Sequence, residues 1–253
     1  MVNFWKLVNN VIRDADVLLL VLDARFPVRS RNKELEQKIT NQEKKLIYVI
    51  NKCDLVTGKD IREISKKFDP SVFVSSKKKL GGTLLFKEIM KQAGGKPSVV
   101  GVIGYPNVGK SSVINLLKGK KSASVSSYSG HTRGVQFISA KGKLKLIDTP
   151  GVLEFKEKDL YKQILMGSIN PQHIKEPDYF ASLLIQDYPK LFEKYFKMEH
   201  NDDAFEFLEE IALKRNILKK GGEPDLMRFG RTILQDWQTG KIHDNYVDLN
   251  PKK

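Results

Sequence analysis

The sequence predicts an α/β fold with a mostly parallel sheet, followed by a smaller all-α domain. Three continuous apolar runs, residues 17–22, 46–50 and 99–103, are typical of parallel strands buried on both faces. Helical patterns lie between these runs, and that alternation builds a parallel sheet. From residue 156 onward the periodicity is helical. We therefore predict two domains, 1–155 and 156–253.

The remaining elements follow from apolar periodicity in the same way. In the first domain we predict helices at 3–13, 32–40, 59–68 and 82–93, with a fifth after residue 110. A short strand is predicted at 72–74, and a hairpin at 135–140 and 143–147. The second domain is predicted to contain helices at 158–168, 177–186, 189–196, 203–217 and 225–238.

Composition excludes several classes of protein. The single cysteine, Cys53, rules out a disulfide framework and a cysteine-built zinc site, and it fits a reducing, cytoplasmic location. We expect no membrane partner, because no apolar run reaches membrane-spanning length and no secretory signal opens the chain. The sequence leaves the oligomeric state open.

The net charge is +14, and it is distributed unevenly. The first 155 residues carry a net charge of +15, whereas the remaining residues carry −1. An excess of this size favours a polyanionic partner, above all nucleic acid. A basic proteome or a solubility effect is the alternative explanation.

Residues 104–111 match a phosphate-binding loop. The segment reads Gly-Tyr-Pro-Asn-Val-Gly-Lys-Ser, between a predicted strand and a predicted helix. Its glycines let backbone N–H groups face phosphates, and Lys110 is expected to reach the β- and γ-phosphates. The Ser111 hydroxyl is expected to bind Mg²⁺. The predicted nucleotide-binding residues here are Asn107, Val108, Gly109, Lys110, Ser111 and Ser112.

Residues 51–54 read Asn-Lys-Cys-Asp after a predicted strand, which is the guanine-recognition pattern Asn-Lys-x-Asp. The Asp54 carboxylate can accept hydrogen bonds from guanine N1–H and the exocyclic amine, whereas adenine offers neither donor. Asn51 is expected to tie this loop to the phosphate-binding loop and to contact the base. The Lys52 stem is expected to lie over the purine. GTP and GDP are therefore the predicted ligands.

A second guanine-side loop is predicted at Ser75, Ser76 and Lys77. The usual sequence there is Ser-Ala-Lys, in which the Ala contributes a backbone N–H to guanine O6. Ser76 preserves that N–H. The lysine run 77–79 has two open interpretations, a solvated turn or a phosphate contact.

Two later segments contain residue types that sense the γ-phosphate. Thr132 offers a hydroxyl that can bind Mg²⁺ only when a γ-phosphate is present. The pattern Asp-x-x-Gly at 148–151 places the Asp148 carboxylate near Mg²⁺ and the Gly151 N–H near the γ-phosphate. The predicted Mg²⁺ ligands are Ser111, Thr132 and Asp148.

These motifs stand in an unusual order. In ordinary GTPases the phosphate-binding loop comes first and the guanine motif fourth, whereas here residues 51–54 and 75–77 precede 104–111. The same sheet forms if the old termini are joined at 94–95 and the chain is cut after Asp-x-x-Gly. Gly151 then leads directly into the C-terminal domain, so movement of this switch can be transmitted through a short tether.

The motif set resembles the YlqF/YawG family of circularly permuted GTPases. The resemblance lies in residues 23–25 (Asp-Ala-Arg), 51–54, 104–112 and 148–151. Segments 219–225 and 236–242 look like the archaeal and eukaryotic branch that contains nucleolar GTP-binding protein 2. The resemblance covers nearly the whole chain. It implies a circularly permuted P-loop GTPase domain, assembly of the large ribosomal subunit, and large-subunit rRNA and pre-ribosomal particles as partners.

Weak intrinsic GTP hydrolysis is predicted. Where many GTPases place a water-orienting Gln after Asp-x-x-Gly, this chain has Val152, so stimulation by the assembled particle is expected. Asn107 either helps hold a K⁺ ion beside the phosphates or is an ordinary loop residue, and His131 either orients water or is an exposed loop residue. The residues expected to act in hydrolysis are Lys110, Thr132, Gly151 and Asn107.

The basic residues outside these motifs leave alternatives open. Arg25 has phosphate-neutralising, structural and RNA-facing interpretations. A basic cluster in the second domain is either an rRNA contact or a solvated helix end; it contains Lys214, Arg215, Lys219 and Lys220. The alternative functions are a metabolic or signalling GTPase with protein partners, and an RNA-binding module whose nucleotide site is structural.

Overall fold

The computed structural model describes residues 4–118, 136–139, 144–148, 159–200 and 202–243. The described residues up to 148 form one compact unit, the N-terminal unit, and those from 159 onward form another, the C-terminal unit. The predicted division into domains 1–155 and 156–253 remains a prediction. In the described ranges we find no helix with the length and apolar character needed to cross a bilayer.

A six-stranded sheet forms the centre of the N-terminal unit, in the order β3-β2-β1-β4-β6-β5. All neighbouring strands are parallel except β5 and β6, which are antiparallel. The mostly parallel α/β fold is thus confirmed, and each strand lies within one residue of its predicted bounds. The strands are β1 (Val17–Asp23), β2 (Lys45–Asn51), β3 (Ser71–Phe73), β4 (Ser98–Gly104), β5 (Gln136–Ser139) and β6 (Leu144–Asp148).

The helices of this unit also form where periodicity predicts them. They are α1 (Phe4–Asp14), α2 (Lys33–Asn41), α3 (Gly58–Lys67), α4 (Gly82–Gln92) and α5 (Lys110–Lys118). Side chains cap two of them at their starts: Asn32 caps α2 by accepting from the Leu35 amide, and Thr57 forms a capping box with Asp60 before α3.

Strand β1 lies at the centre of the hydrophobic core. All seven of its residues are buried, as its continuous apolar run predicts. Leu18, Leu20 and Leu22 belong to one core cluster with residues of α1, such as Val11 and Ile12. Because this strand is packed on both faces, the residues at its carboxyl end are held in a fixed position.

The described residues of the C-terminal unit contain helices and no strand. The helices are α6 (Leu160–Leu165), α7 (Pro177–Asp187), α8 (Pro189–Phe196), α9 (Ala204–Lys214) and α10 (Leu226–Thr239). Two of them are shorter than predicted, because Gly167 and Asn216 adopt left-handed conformations just beyond α6 and α9. Buried Trp237 of α10 donates from Nε1 to the Leu165 carbonyl at 3.1 Å.

Candidate nucleotide-binding site

The sheet topology brings the sequence motifs to one edge. Strands β1, β2, β4 and β6 are parallel, and they end at Asp23, Asn51, Gly104 and Asp148. The connections after β1 build the sheet toward β3, whereas β4 is followed on its other side by β6 and β5. The point between β1 and β4 is therefore a topological switch point, where open α/β sheets bind ligands.

Two glycines give the phosphate-binding loop its shape. Gly104 has a φ of +145° and Gly109 a φ of +98°, values that side-chain-bearing residues rarely adopt. A Cβ at Gly104 would overlap the Val21 carbonyl oxygen, and one at Gly109 would overlap Nδ2 of Asn51. Both positions require glycine because another strand or loop approaches the backbone there.

The loop leads directly into α5. Lys110 is the first residue of this helix, and its Nζ donates to the carbonyls of Gly104 at 2.9 Å and Tyr105 at 2.6 Å. Ser111 and Ser112 follow as exposed residues in the first turn. The amide groups and partial positive charge of a helix start favour an anion at this position.

Asn51 connects the guanine motif to two other loops. Its Nδ2 donates to the Val108 carbonyl at 2.8 Å, although the two residues are 57 positions apart. Its Oδ1 accepts from the amide of Ser76 at 3.2 Å and from the hydroxyl of Ser76 at 2.9 Å. Asn51 is only 3% exposed, so these bonds are shielded from water. The tie to the phosphate-binding loop that the sequence predicts is thus present in the structure.

Lys52 is anchored by Asp23, a contact that the sequence analysis did not predict. Lys52 adopts a left-handed conformation, and its Nζ donates to Oδ2 of Asp23 at 2.7 Å. The same carboxylate accepts from Arg25 Nη2 at 2.9 Å and from Arg25 Nε at 3.1 Å. The sequence signal for this contact is the aspartate at the end of an apolar strand. In the structure, the β1–β2 register places Asp23 next to Asn51.

Burial and charge act in opposite directions on Asp23. Burial raises the pKa of its carboxyl, but the positive charges of Arg25 and Lys52 outweigh that effect and hold the pKa well below its usual range. The Arg25 side chain is only 6% exposed in this pair. Of the roles considered for Arg25, the structure therefore supports the structural one.

Asp54 lies beside the second guanine-side loop. It belongs to a 3₁₀ turn, Cys53–Leu55, and is half-buried. The Cys53 amide donates to the Val74 carbonyl at 3.1 Å, which holds this turn against the start of the loop. Burial raises the pKa of the Cys53 thiol, and the Asp54 carboxylate raises it further, so the thiol stays protonated at neutral pH.

Ser75 and Lys77 differ in their exposure. Ser75 is buried, and its hydroxyl accepts from the Lys78 amide at 3.1 Å, whereas Lys77 is exposed. In the phosphate-binding loop, Val108 is buried, and Asn107 is exposed in a left-handed conformation. The structure therefore gathers the loops that contain residues 51–54, 75–77 and 107–112 at one edge of the sheet.

The predicted Mg²⁺ site is described in part. Thr132 and Gly151 lie outside the described residues, as do His131 and Val152. Asp148 ends β6, the strand that pairs with β4. In the described ranges we find no group of three or more His, Cys, Asp or Glu residues that could hold a metal. Mg²⁺ typically takes only one or two protein ligands besides phosphate oxygens and water, and the Ser111 hydroxyl in the first turn of α5 is a ligand of the kind it takes.

This fold and this loop arrangement define a P-loop GTPase with permuted motifs. A family model described as 50S ribosome-binding GTPase matches residues 99–213, and one for the elongation factor Tu GTP-binding domain matches residues 1–115. The chain is 42% identical to an uncharacterized GTP-binding protein of Methanocaldococcus jannaschii, an alignment that covers 96% of this chain and 67% of that protein. The chain belongs to the YlqF/YawG family of circularly permuted GTPases.

Two further comparisons agree with this assignment. Nucleolar GTP-binding protein 2 of Saccharomyces cerevisiae is 36% identical over 94% of this chain, which spans about half (52%) of the yeast protein. GNP-bound YlqF from T. maritima matches with a TM-score of 0.66 and 25% identity, over 94% of each chain. The circularly permuted GTPase fold is therefore confirmed.

Proposed function

We propose that this protein is a GTP-binding and GTP-hydrolysing switch that acts in assembly of the large ribosomal subunit. The observation that best supports GTP binding is the hydrogen bonding of Asn51 to Val108 and Ser76, which joins motifs that are scattered in the sequence. The ribosomal role is supported by the 50S ribosome-binding description of the matching family model. The basic N-terminal part of the chain fits an rRNA partner.

In this proposal the guanine base lies between the motif at 51–54 and the loop at 75–77. Asp54 accepts from the base, and the Lys52 stem covers the purine face while its ammonium remains bonded to Asp23. The phosphates lie against 107–112 at the start of α5. The proposed Mg²⁺ ligands are Ser111, Thr132 and Asp148, and bound Mg²⁺ would neutralise charge that develops on the phosphates.

Hydrolysis is proposed to be weak without the particle. Lys110 stabilises charge on the β- and γ-phosphates, and the Gly151 amide donates to the γ-phosphate. Val152 has no polar atom with which to orient water. GTP with Mg²⁺ holds Thr132 and the 148–151 segment, which sets the affinity for rRNA or a pre-ribosomal particle, and hydrolysis permits release.

Replacing Asp54 by Asn tests guanine recognition. The variant presents an amide N–H₂ to the guanine amine, so two donors face each other, and we expect GTP affinity to fall ~10–100-fold. Xanthine has a carbonyl at that position, so affinity for xanthosine triphosphate should rise. Titration of fluorescent nucleotide analogues measures both effects, with exposed Asp14→Asn as the control. Equal affinity of the wild type for GTP and ATP would exclude the proposed site.

Asn107 offers a test of K⁺ stimulation. If it helps to hold a monovalent cation beside the phosphates, GTP turnover should be faster in K⁺ than in Na⁺, and Asn107→Ala should remove the difference. Equal rates in the two salts would make Asn107 an ordinary loop residue.

A turn after α9 is the proposed rRNA contact of the C-terminal unit. The Lys219 amide donates to the Glu223 carbonyl at 2.8 Å, which closes the turn around Lys220. A methyl group added at Gly221 or Gly222 would meet no atom within 4 Å, so a phosphate backbone can approach these glycines closely. Arg215 instead packs on the Phe196 ring, with its Cζ atom 4.6 Å from the ring centroid.

Charge reversal tests this contact without disturbing Arg215. Glu at positions 214, 219 and 220 should weaken binding to large-subunit rRNA and reduce its salt dependence. A variant that combines Lys175→Glu, Lys190→Glu and Lys197→Glu, at three exposed lysines of the same unit, is the matched control. Equal binding by both variants would remove the turn from the interface.

Co-sedimentation separates the ribosomal role from a metabolic or signalling GTPase. We expect the protein to sediment with large-subunit particles in GTP but not in GDP, and a protein with no ribosomal role would stay in the supernatant in both. Imaging of the tagged protein would test the predicted cytoplasmic location.

A further inference from the structure

A groove beside α4 exposes leucine side chains on the N-terminal unit. It has a volume of about 390 Å³, and its apolar lining includes Leu80, Leu84, Phe86 and Leu116. Leu80 is 53% exposed and Leu84 is 63% exposed. Large apolar side chains gathered at an exposed concave surface are typical of an interaction site.

The rim of the groove is positively charged. An exposed turn contains Lys77, Lys78 and Lys79, and two backbone hydrogen bonds between Ser75 and Leu80, of 3.2 and 3.0 Å, close it. Residues 76–87 contain four lysines and no acidic residue. Within the described part of the chain, none of the three turn lysines forms a salt bridge.

Helix α4 adds to this positive potential. Its N-cap is Gly81, which offers no capping side chain, and its first turn contains no acidic residue. The amide groups at the start of a helix then carry an uncompensated partial positive charge. Gly81 and Gly82 themselves line the groove, so this charge lies next to the exposed leucines.

We propose that this groove binds an acidic segment of a partner protein that also presents apolar side chains. Such a segment satisfies both features, because its carboxylates face the lysine turn and its apolar side chains cover Leu80 and Leu84. RNA would gain from the lysines but would leave the leucines in water. Lys77 also belongs to the proposed guanine-side loop, but Leu80 and Leu84 lie outside that loop, and this inference does not depend on GTP binding.

Two other occupants are disfavoured by charge. Residues 119–135 of this chain contain three basic residues and no acidic one, so the lysine turn would repel them. A second copy of the chain has a net charge of +14 and is disfavoured for the same reason.

Site-specific photocrosslinking identifies the occupant. The full chain would be prepared with photoreactive p-benzoylphenylalanine at position 84 and irradiated in an extract of its own cells. A matched chain would place the same group at Leu213, a leucine that is 53% exposed on the C-terminal unit. We expect position 84, but not position 213, to crosslink to a protein segment with net negative charge and several apolar residues. Crosslinks to RNA, to residues 119–135 or to a second copy, or no specific crosslink, would overturn the proposal.

A binding assay with the crosslinked segment, made as a synthetic peptide, completes the test. Lys79→Glu and Leu84→Ser should each weaken binding about tenfold. Lys197→Glu is a matched control, since Lys197 is also left-handed and lies on the other unit, and Leu213→Ser matches the leucine change. Both controls should bind like the wild type, and unchanged binding by the groove variants would refute the proposal. GTP affinity of Leu84→Ser should stay unchanged, so its result is separate from the Asp54 test.

Discussion

Asp23→Asn tests the buried charge cluster behind the guanine motif. The substitution keeps the shape of the side chain but removes the negative charge that faces Arg25, 6% exposed, and Lys52, 23% exposed. Removal of one partner from a buried ion pair costs about 3–5 kcal/mol. Lys52 can turn toward water and Arg25 cannot, so we expect the free energy of unfolding to fall by about 3 kcal/mol. With a urea m value of ~2 kcal/mol/M, the unfolding midpoint would fall by ~1.5 M.

The two tryptophans allow the N-terminal unit to be followed separately. Trp5 lies in α1 and Trp237 in α10, so in a Trp237→Phe background the fluorescence of Trp5 reports the N-terminal unit. Asp14→Asn is the control, because the Arg13–Asp14 pair is 68% and 41% exposed and a solvent-exposed pair contributes little to stability. The reasoning would be refuted if Asp23→Asn shifted the midpoint no further than this control.

The difference in stability between the wild type and Asp23→Asn should depend on pH. The pKa of Asp23 is lower in the folded protein than its unfolded value of ~3.9. Its contribution to stability is therefore fully present above that value and is lost as the pH falls further toward the folded pKa. The difference in unfolding free energy between wild type and Asp23→Asn should be constant from about pH 5 to 7 and should narrow below about pH 4.

Two further predictions concern the contacts between loops. Asn51→Ala leaves the Val108 carbonyl and the Ser76 amide without their partner. We expect isothermal titration to show a tenfold or greater loss of GTP affinity. Circular dichroism should show that the N-terminal unit is still folded. Gly109→Ala places a Cβ against Asn51 Nδ2, at a residue whose φ is +98°, and should abolish GTP binding. The control is Gly94→Ala, which has open space around it and should still bind GTP. Equal affinities of the two glycine variants for GTP would contradict the steric argument.

Much of the fold can be predicted because its signals are local. The continuous apolar run of β1 and the periodicity of α1 to α4 depend on neighbouring residues only, and these elements form within a residue of their expected bounds. The predicted ends of α6 and α9 lie too far along the chain, because periodicity does not show where the backbone turns left-handed, as at Gly167 and Asn216.

The candidate site depends on both kinds of information. Local sequence predicts the chemistry of residues 51–54 and 104–111, since spacing and residue type determine which groups a loop can offer. It did not reveal that Asp23 holds both Lys52 and Arg25, or that the Ser76 hydroxyl binds Asn51.

The amino-acid sequence by itself determined the strands, the helices and the order of the motifs, because each depends on residues close together in the chain. Only the tertiary structure decided that Lys52 bonds to Asp23 and that the Ser76 hydroxyl bonds to Asn51. Those outcomes follow from the order of strands in the sheet, which places residues from distant parts of the chain within hydrogen-bond distance. No local pattern specifies such pairs, because their energy depends on burial that exists only once the sheet has formed.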